Sequence, residues 1–137
     1  MSNYVKAKVE TLKDLDMQYF EDALGRMGFK ADFDKHEIDT YWSKQTCDCV
    51  ICDINSGRSS QMGMSFEENE DGSVQVSIQA DWDNVHGFAY ANDFMARFTV
   101  EYHTAKYSDV CSRMGYVTES IEELGNGKRR MVLRRAA

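Results

Sequence analysis

Apolar and polar positions along this chain change period several times, and each change marks an element. Val5, Ala7 and Val9 alternate with Lys6 and Lys8, as in a half-buried strand. Over residues 14–27 the period lengthens. Leu15, Tyr19, Ala23 and Met27 recur every four residues with Phe20 and Leu24 beside them, which predicts a helix with a broad apolar stripe. Gly28 can take the left-handed conformation that closes such a helix. Residues 38–42 read as a short edge strand. Residues 46–54 are β-compatible throughout and end at Asn55-Ser56-Gly57, a turn signal. Met62, Met64 and Phe66 then alternate with small or polar residues. Past the acidic run through Asp71-Gly72, alternation resumes at Val74, Val76, Ile78 and Ala80, so the two runs predict a hairpin.

Between Gly87 and Gly115 the spacing predicts a long helix over residues 91–114. At 100° per residue, Phe94, Phe98, Tyr102 and Ala105 share one face. Val100, His103, Tyr107, Val110 and Met114 fall nearly opposite. One apolar face is enough to cover a sheet, so the second requires a kink, another element or another subunit. The tail reads as a second hairpin, residues 116–124 and 128–135 around Gly125-Asn126-Gly127. No linker, repeat or low-complexity tract interrupts the chain. Residues 1–137 are therefore expected to form one α+β domain, an antiparallel sheet with two helices packed on one face, in the order β-α-β-β-β-α-β-β.

Several short pieces carry a family likeness: the opening strand at Val5 to Val9; Asp14-Leu15 through Met27-Gly28; Asp48-Cys49-Val50-Ile51; Met62-Gly63-Met64-Ser65-Phe66; Ala80-Asp81-Trp82; Tyr102-His103; Met114-Gly115-Tyr116-Val117; and Met131-Val132-Leu133-Arg134-Arg135. In these the chain resembles an uncharacterised conserved family of small proteins encoded in cyanobacteria, red-algal plastid genomes, other bacteria and some phages. The chain departs from that pattern at Cys47, Cys49 and Cys52. The family has no assigned activity to carry over. The resemblance implies a cytosolic α+β protein, with a phage origin among the expectations.

Composition narrows the function classes. The chain has 137 residues, four Cys and no Pro, and its 42% apolar content is too high for intrinsic disorder. No apolar run reaches the ~18–20 residues of a membrane span. The alternating charges of residues 1–10 are unlike a signal peptide, so the expected location is cytoplasmic with reduced thiols. Charge is uneven. Residues 128–137 hold five basic side chains and no acidic one, leaving 11 bases against 23 acids elsewhere, a net of −12. A body of that sign repels nucleic-acid phosphate, which argues against general DNA binding. Excess acid also serves solubility alone.

Cys47-x-Cys49-x-x-Cys52 with distant Cys111 is the sharpest local pattern, and four thiolates suit zinc or an iron–sulfur cluster. In an unbroken strand, however, Cys47 and Cys49 face one way and Cys52 the other, so small buried hydrophobes are the favoured reading and no metal or cofactor is expected. His36, His86 and His103 make no helical ligand pair. Asp81, Asp83 and His86, beside Trp82 at a strand-to-helix junction, are where chemistry is first to be sought. Turn and cap roles for them are simpler. No phosphate-binding glycine loop or nucleophile elbow is present, so no catalytic residue is assigned and the balance is against an enzyme.

The leading expectation is a non-catalytic protein that binds a protein or nucleoprotein partner through an acidic surface (Glu67, Glu68, Glu70, Asp71) or the second helix face (Val100, His103, Val110, Met114). A phage-encoded inhibitor of a CRISPR-type host defence complex fits that charge. The alternative is a sponge for a small nucleotide signal, using Arg130, Arg134, Arg135, Trp82, Tyr102 and Tyr107. Those arginines can instead pair across the hairpin with Glu119, Glu122 and Glu123. A Cys-ligated metal protein is a third possibility. A homodimer is also expected.

Overall fold

A computed structural model describes residues 4–12, 15–39, 44–81, 91–125 and 128–136. Strand β1 (Tyr4–Leu12) leads to helix α1 (Met17–Arg26), followed by β2 (Phe29–Asp32), β3 (Glu37–Asp39), β4 (Lys44–Thr46), β5 (Cys49–Asp53), β6 (Ser59–Glu68) and β7 (Val74–Asp81). Helix α2 (Ala91–Arg113) and strands β8 (Tyr116–Gly125) and β9 (Lys128–Arg135) complete the chain. The α+β class is as expected, with both helices on one face of an antiparallel five-stranded sheet of order β1-β7-β6-β5-β2. The element order is longer than expected: six strands, not three, separate the helices. Two of the extra strands are three residues long and one is four, too short for a periodic signal.

The helix-side core is built by strict alternation. Met62 and Met64 of β6 and Val76, Ile78 and Ala80 of β7 meet Phe20, Ala23 and Leu24 of α1 and Phe94, Phe98 and Tyr102 of α2. Phe20 is fully buried, with ring centroids 5.2 Å from Phe66 and 5.6 Å from Phe98. The Asp16 carboxylate caps α1 by accepting from the Gln18 amide at 2.8 Å. The Tyr102 hydroxyl accepts from the Asp16 amide at 3.0 Å, which fixes α2 against the start of α1.

The sheet's other face carries a small flap, the β3–β4 pair, over a second cluster of Ile38, Cys47, Val50 and Cys52. Strand β5 is therefore covered on both sides, which is why Cys49 to Cys52 reads as an unbroken apolar run. The Gln79 side-chain amide donates to the Thr46 carbonyl, and the Asp39 amide donates to Gln61 Oε1 at 3.0 Å. Gln61 has φ of +60° at the β5–β6 register shift, a conformation that aims its side chain at the flap. The flap also requires Gly63, because a Cβ there would lie 2.6 Å from Cys47 Sγ.

Candidate functional site

Helix α2 runs unbroken for 23 residues, so its second face is not turned into the main core by a kink. After Gly115, at φ +90°, the chain folds back and β8 runs along α2 with β9 outside it. These strands form their own two-stranded sheet and do not join the five-stranded one. Register places Thr118 opposite Leu133, Ile121 opposite Met131 and Glu123 opposite Arg129. That row looks toward α2, since Arg129, Ser108 and Thr118 mark the contact: the two hydroxyls lie 3.0 Å apart, and Arg129 Nη1 donates to Thr104 Oγ1 at 3.3 Å.

One ion cluster fastens the hairpin. Glu101, whose side chain is 4% exposed, projects from the flank of α2 and is met by the Arg129 guanidinium, itself 12% exposed. Arg97 lies 3.5 Å from the same carboxylate oxygen, and Arg129 Nε lies 2.7 Å from Glu123 Oε1. A buried carboxylate is costly unless compensated, so Glu101 and Arg129 hold each other in place.

Beyond this clamp the hairpin and the helix do not close. A groove of about 350 Å³ remains between the inner face of β9 and α2, walled by Met131 and Arg129 and floored by Val100, His103 and Tyr107. The His103 ring makes edge contacts with Tyr102 and Tyr107, at 6.0 and 6.1 Å between centroids. Tyr107 is exposed, as are Val110 and Met114 further along the helix. A second depression between the helices is polar. There Tyr19 donates to Asp109 Oδ2 at 2.6 Å, a bond that raises the phenol above its ordinary pKa, and Arg113 lies 2.9 Å from the same oxygen.

Of the expected partner residues, Val100 and His103 line the groove while Val110 and Met114 continue its helical face. Glu67 and Glu68 end β6, and Glu70 and Asp71 belong to its turn into β7. Asp71 is held below the usual carboxylate range by the Ser73 hydroxyl and then by the Ser73 amide, so it closes that turn. No ion pair or hydrogen bond joins these acids to the groove among the described residues.

Among the described residues, the expected nucleotide-binding side chains do not share one face. Tyr102 is a core residue at 2% exposure, and its hydroxyl is used against the α1 cap. Arg130 faces away from α2 and pairs across the hairpin with Glu122, Nε to Oε2 at 2.8 Å. Arg134 has the same strand parity as Arg130, whereas Arg135 has the opposite one. Trp82, Asp83 and His86 lie outside the described residues, and of Asp81 only the backbone at the end of β7 is described.

The cysteines do not converge, but the strand parity expected for them needs correction. Cys47 lies before β5, next to a bend at Asp48, and joins Cys52 in the flap cluster, while Cys49 faces the helices. Burial pushes the Cys47 thiol up to about 11 and that of Cys49 to about 12, the wrong direction for a nucleophile. Cys111 stands apart on α2.

Arg129, Met131 and Glu101 were missed as site residues. Their signal was present: Arg129 shares strand parity with apolar Met131 and Leu133, and a charge at an inward position requires a buried counter-charge. Comparison with family models, curated proteins and solved structures finds no match for this chain.

Proposed function

We propose that this protein is a non-catalytic binding protein whose partner docks on the face shared by α2 and the β8–β9 hairpin. One observation carries the reading. Of the ten exposed large apolar residues among those described, seven belong to this module: Tyr107, Val110 and Met114 on α2, Ile121 and Leu133 in the hairpin row that looks toward it, and Val117 and Leu124 elsewhere on the hairpin. The other three, Met17, Phe33 and Ile54, are scattered, as is ordinary for a protein surface. Concentration of apolar area in one module marks an interaction surface. A protein is the favoured partner, because a nucleic acid would approach a chain with 23 acidic side chains.

The test uses the full chain, immobilised and exposed to lysate of its source cells, with captured proteins cross-linked and identified. Tyr107→Glu with Met114→Glu should abolish the specific capture, and Glu68→Lys with Glu70→Lys should preserve it. The opposite pattern would move the interface to the acidic turn.

A further inference from the structure

The hairpin has a free edge beside the groove. Strand β8 lies along α2, and among the described residues no strand pairs with the far side of β9 over its eight residues. Unpaired strand edges are templates for strand addition. The groove lies on the same side. Around the helix axis, Glu101 and Ser108, which meet Arg129 and β8, occupy one flank, and His103 and Tyr107 occupy the other. A strand added beyond β9 would therefore pass above His103 and Tyr107 and roof the groove.

Charge selects the occupant. Arg129 and Arg130 are neutralised by Glu101, Glu123 and Glu122. Lys128, Arg134 and Arg135 make no ion pair among the described residues, so the edge presents net positive charge. A second copy supplying its own β9 would set those three cations, Lys128, Arg134 and Arg135, against the same three, which disfavours that pairing. Supplying its β8 instead makes a head-to-tail contact that does not close on two subunits.

We infer that β9 accepts an extended partner segment in which acidic and apolar residues alternate, its backbone pairing with the β9 edge and its apolar side chains entering the groove. Main-chain hydrogen bonds supply affinity in this mode, and the alternate side chains supply selectivity. The inference deepens the binding reading above and rests on it.

The probe is a fluorescent peptide of about ten residues alternating Glu with Val and Ile, a length matched to a typical strand. Two controls replace every Glu by Lys or place Pro at alternate positions. With the intact protein, anisotropy should report binding of the Glu peptide alone, weakening by about tenfold between low and physiological salt. Arg134→Glu with Arg135→Glu should weaken it by at least about tenfold, and Tyr107→Ala by a smaller factor, with circular dichroism unchanged. Amide exchange in β9 should slow when the peptide binds. Equal binding of the Lys peptide, binding indifferent to the arginine variant, or no binding at all would overturn the inference. So would tighter binding of a single-stranded oligonucleotide, which would assign the cations to phosphate. If the peptide fails while Tyr107→Glu with Met114→Glu still abolishes partner capture, the binding reading stands and strand addition alone is lost.

Discussion

Helix α2 serves two regions that are built very differently. On one side Phe94, Phe98 and Tyr102 are almost completely buried against the five-stranded sheet. On the other, Tyr107 is 53% exposed and Met114 68%, although a hairpin lies along the neighbouring flank of the helix. The sheet side is closed because two helices and five strands supply matched rows of side chains. The hairpin side is two strands wide, and a two-stranded sheet is too narrow to cover a long helix. The first region accounts for stability, and the second leaves apolar area for another molecule.

The comparison is broken most sharply by truncating one residue in each region. Phe20→Ala should cost about 3–5 kcal/mol in urea unfolding, as large aromatic truncations in closed cores do. Met131→Ala in the groove wall should cost under about 1 kcal/mol, the range of changes outside a packed core. Comparable losses would mean that the hairpin belongs to the core.

Next in size is the clamp. Arg129→Met leaves the Glu101 carboxylate without its principal counter-charge and should cost about 3 kcal/mol, by the rule for broken buried pairs. Hydrogen exchange should speed up in β8 and β9 while β5 to β7 keep their protection. Adding Glu101→Gln to that variant should recover much of the loss. An additive double variant would show that the two charges are not coupled.

Gly63→Ala probes the sheet's opposite face. Its Cβ would meet Cys47 Sγ at 2.6 Å and Cβ at 2.7 Å, so the flap must shift, at a cost of about 1–3 kcal/mol. The groove should be unaffected, with Tyr107→Glu keeping its effect on partner capture in this background.

Smallest at neutral pH is the thiol effect. Unfolded thiols ionise near 9.0, whereas Cys47 and Cys49 stay protonated to about 11 and about 12 in the fold. The native state then holds more protons than the unfolded one, so stability is complete below about pH 9 and falls as pH rises toward 12. Cys47→Ala with Cys49→Ala should flatten that slope in chemical denaturation. A slope unchanged by the substitutions would place the alkaline transition elsewhere.

The regular elements were legible because each had a clear period. Val74 to Ala80 and Met62 to Phe66 alternate cleanly, and β6 and β7 pair as that pattern requires, with Met64 opposite Ile78. The tail hairpin and its Glu122–Arg130 pairing were likewise readable from turn and charge placement. The flap was legible only in part. The edge strand expected at residues 38–42 overlaps β3 at Ile38 and Asp39, with residues 40–42 outside the described ones. Strand β4 carries no periodic signal, and the bend at Asp48 reversed the direction expected for Cys47. The groove was half legible. Two apolar faces on one helix announced an extra contact, but nothing local to Glu101 or Arg129 told that they would meet across 28 positions.

Sequence alone determined the periodic units: which segments are helices and strands, which faces are apolar, and that charge divides into an acidic body and a basic last strand. Those properties depend on neighbours a few residues apart, and local sterics and burial suffice to specify them. Tertiary structure decided how completely each apolar face is covered. Coverage depends on how many elements arrive from distant parts of the chain, and here a full sheet arrives on one side of α2 and a single hairpin on the other.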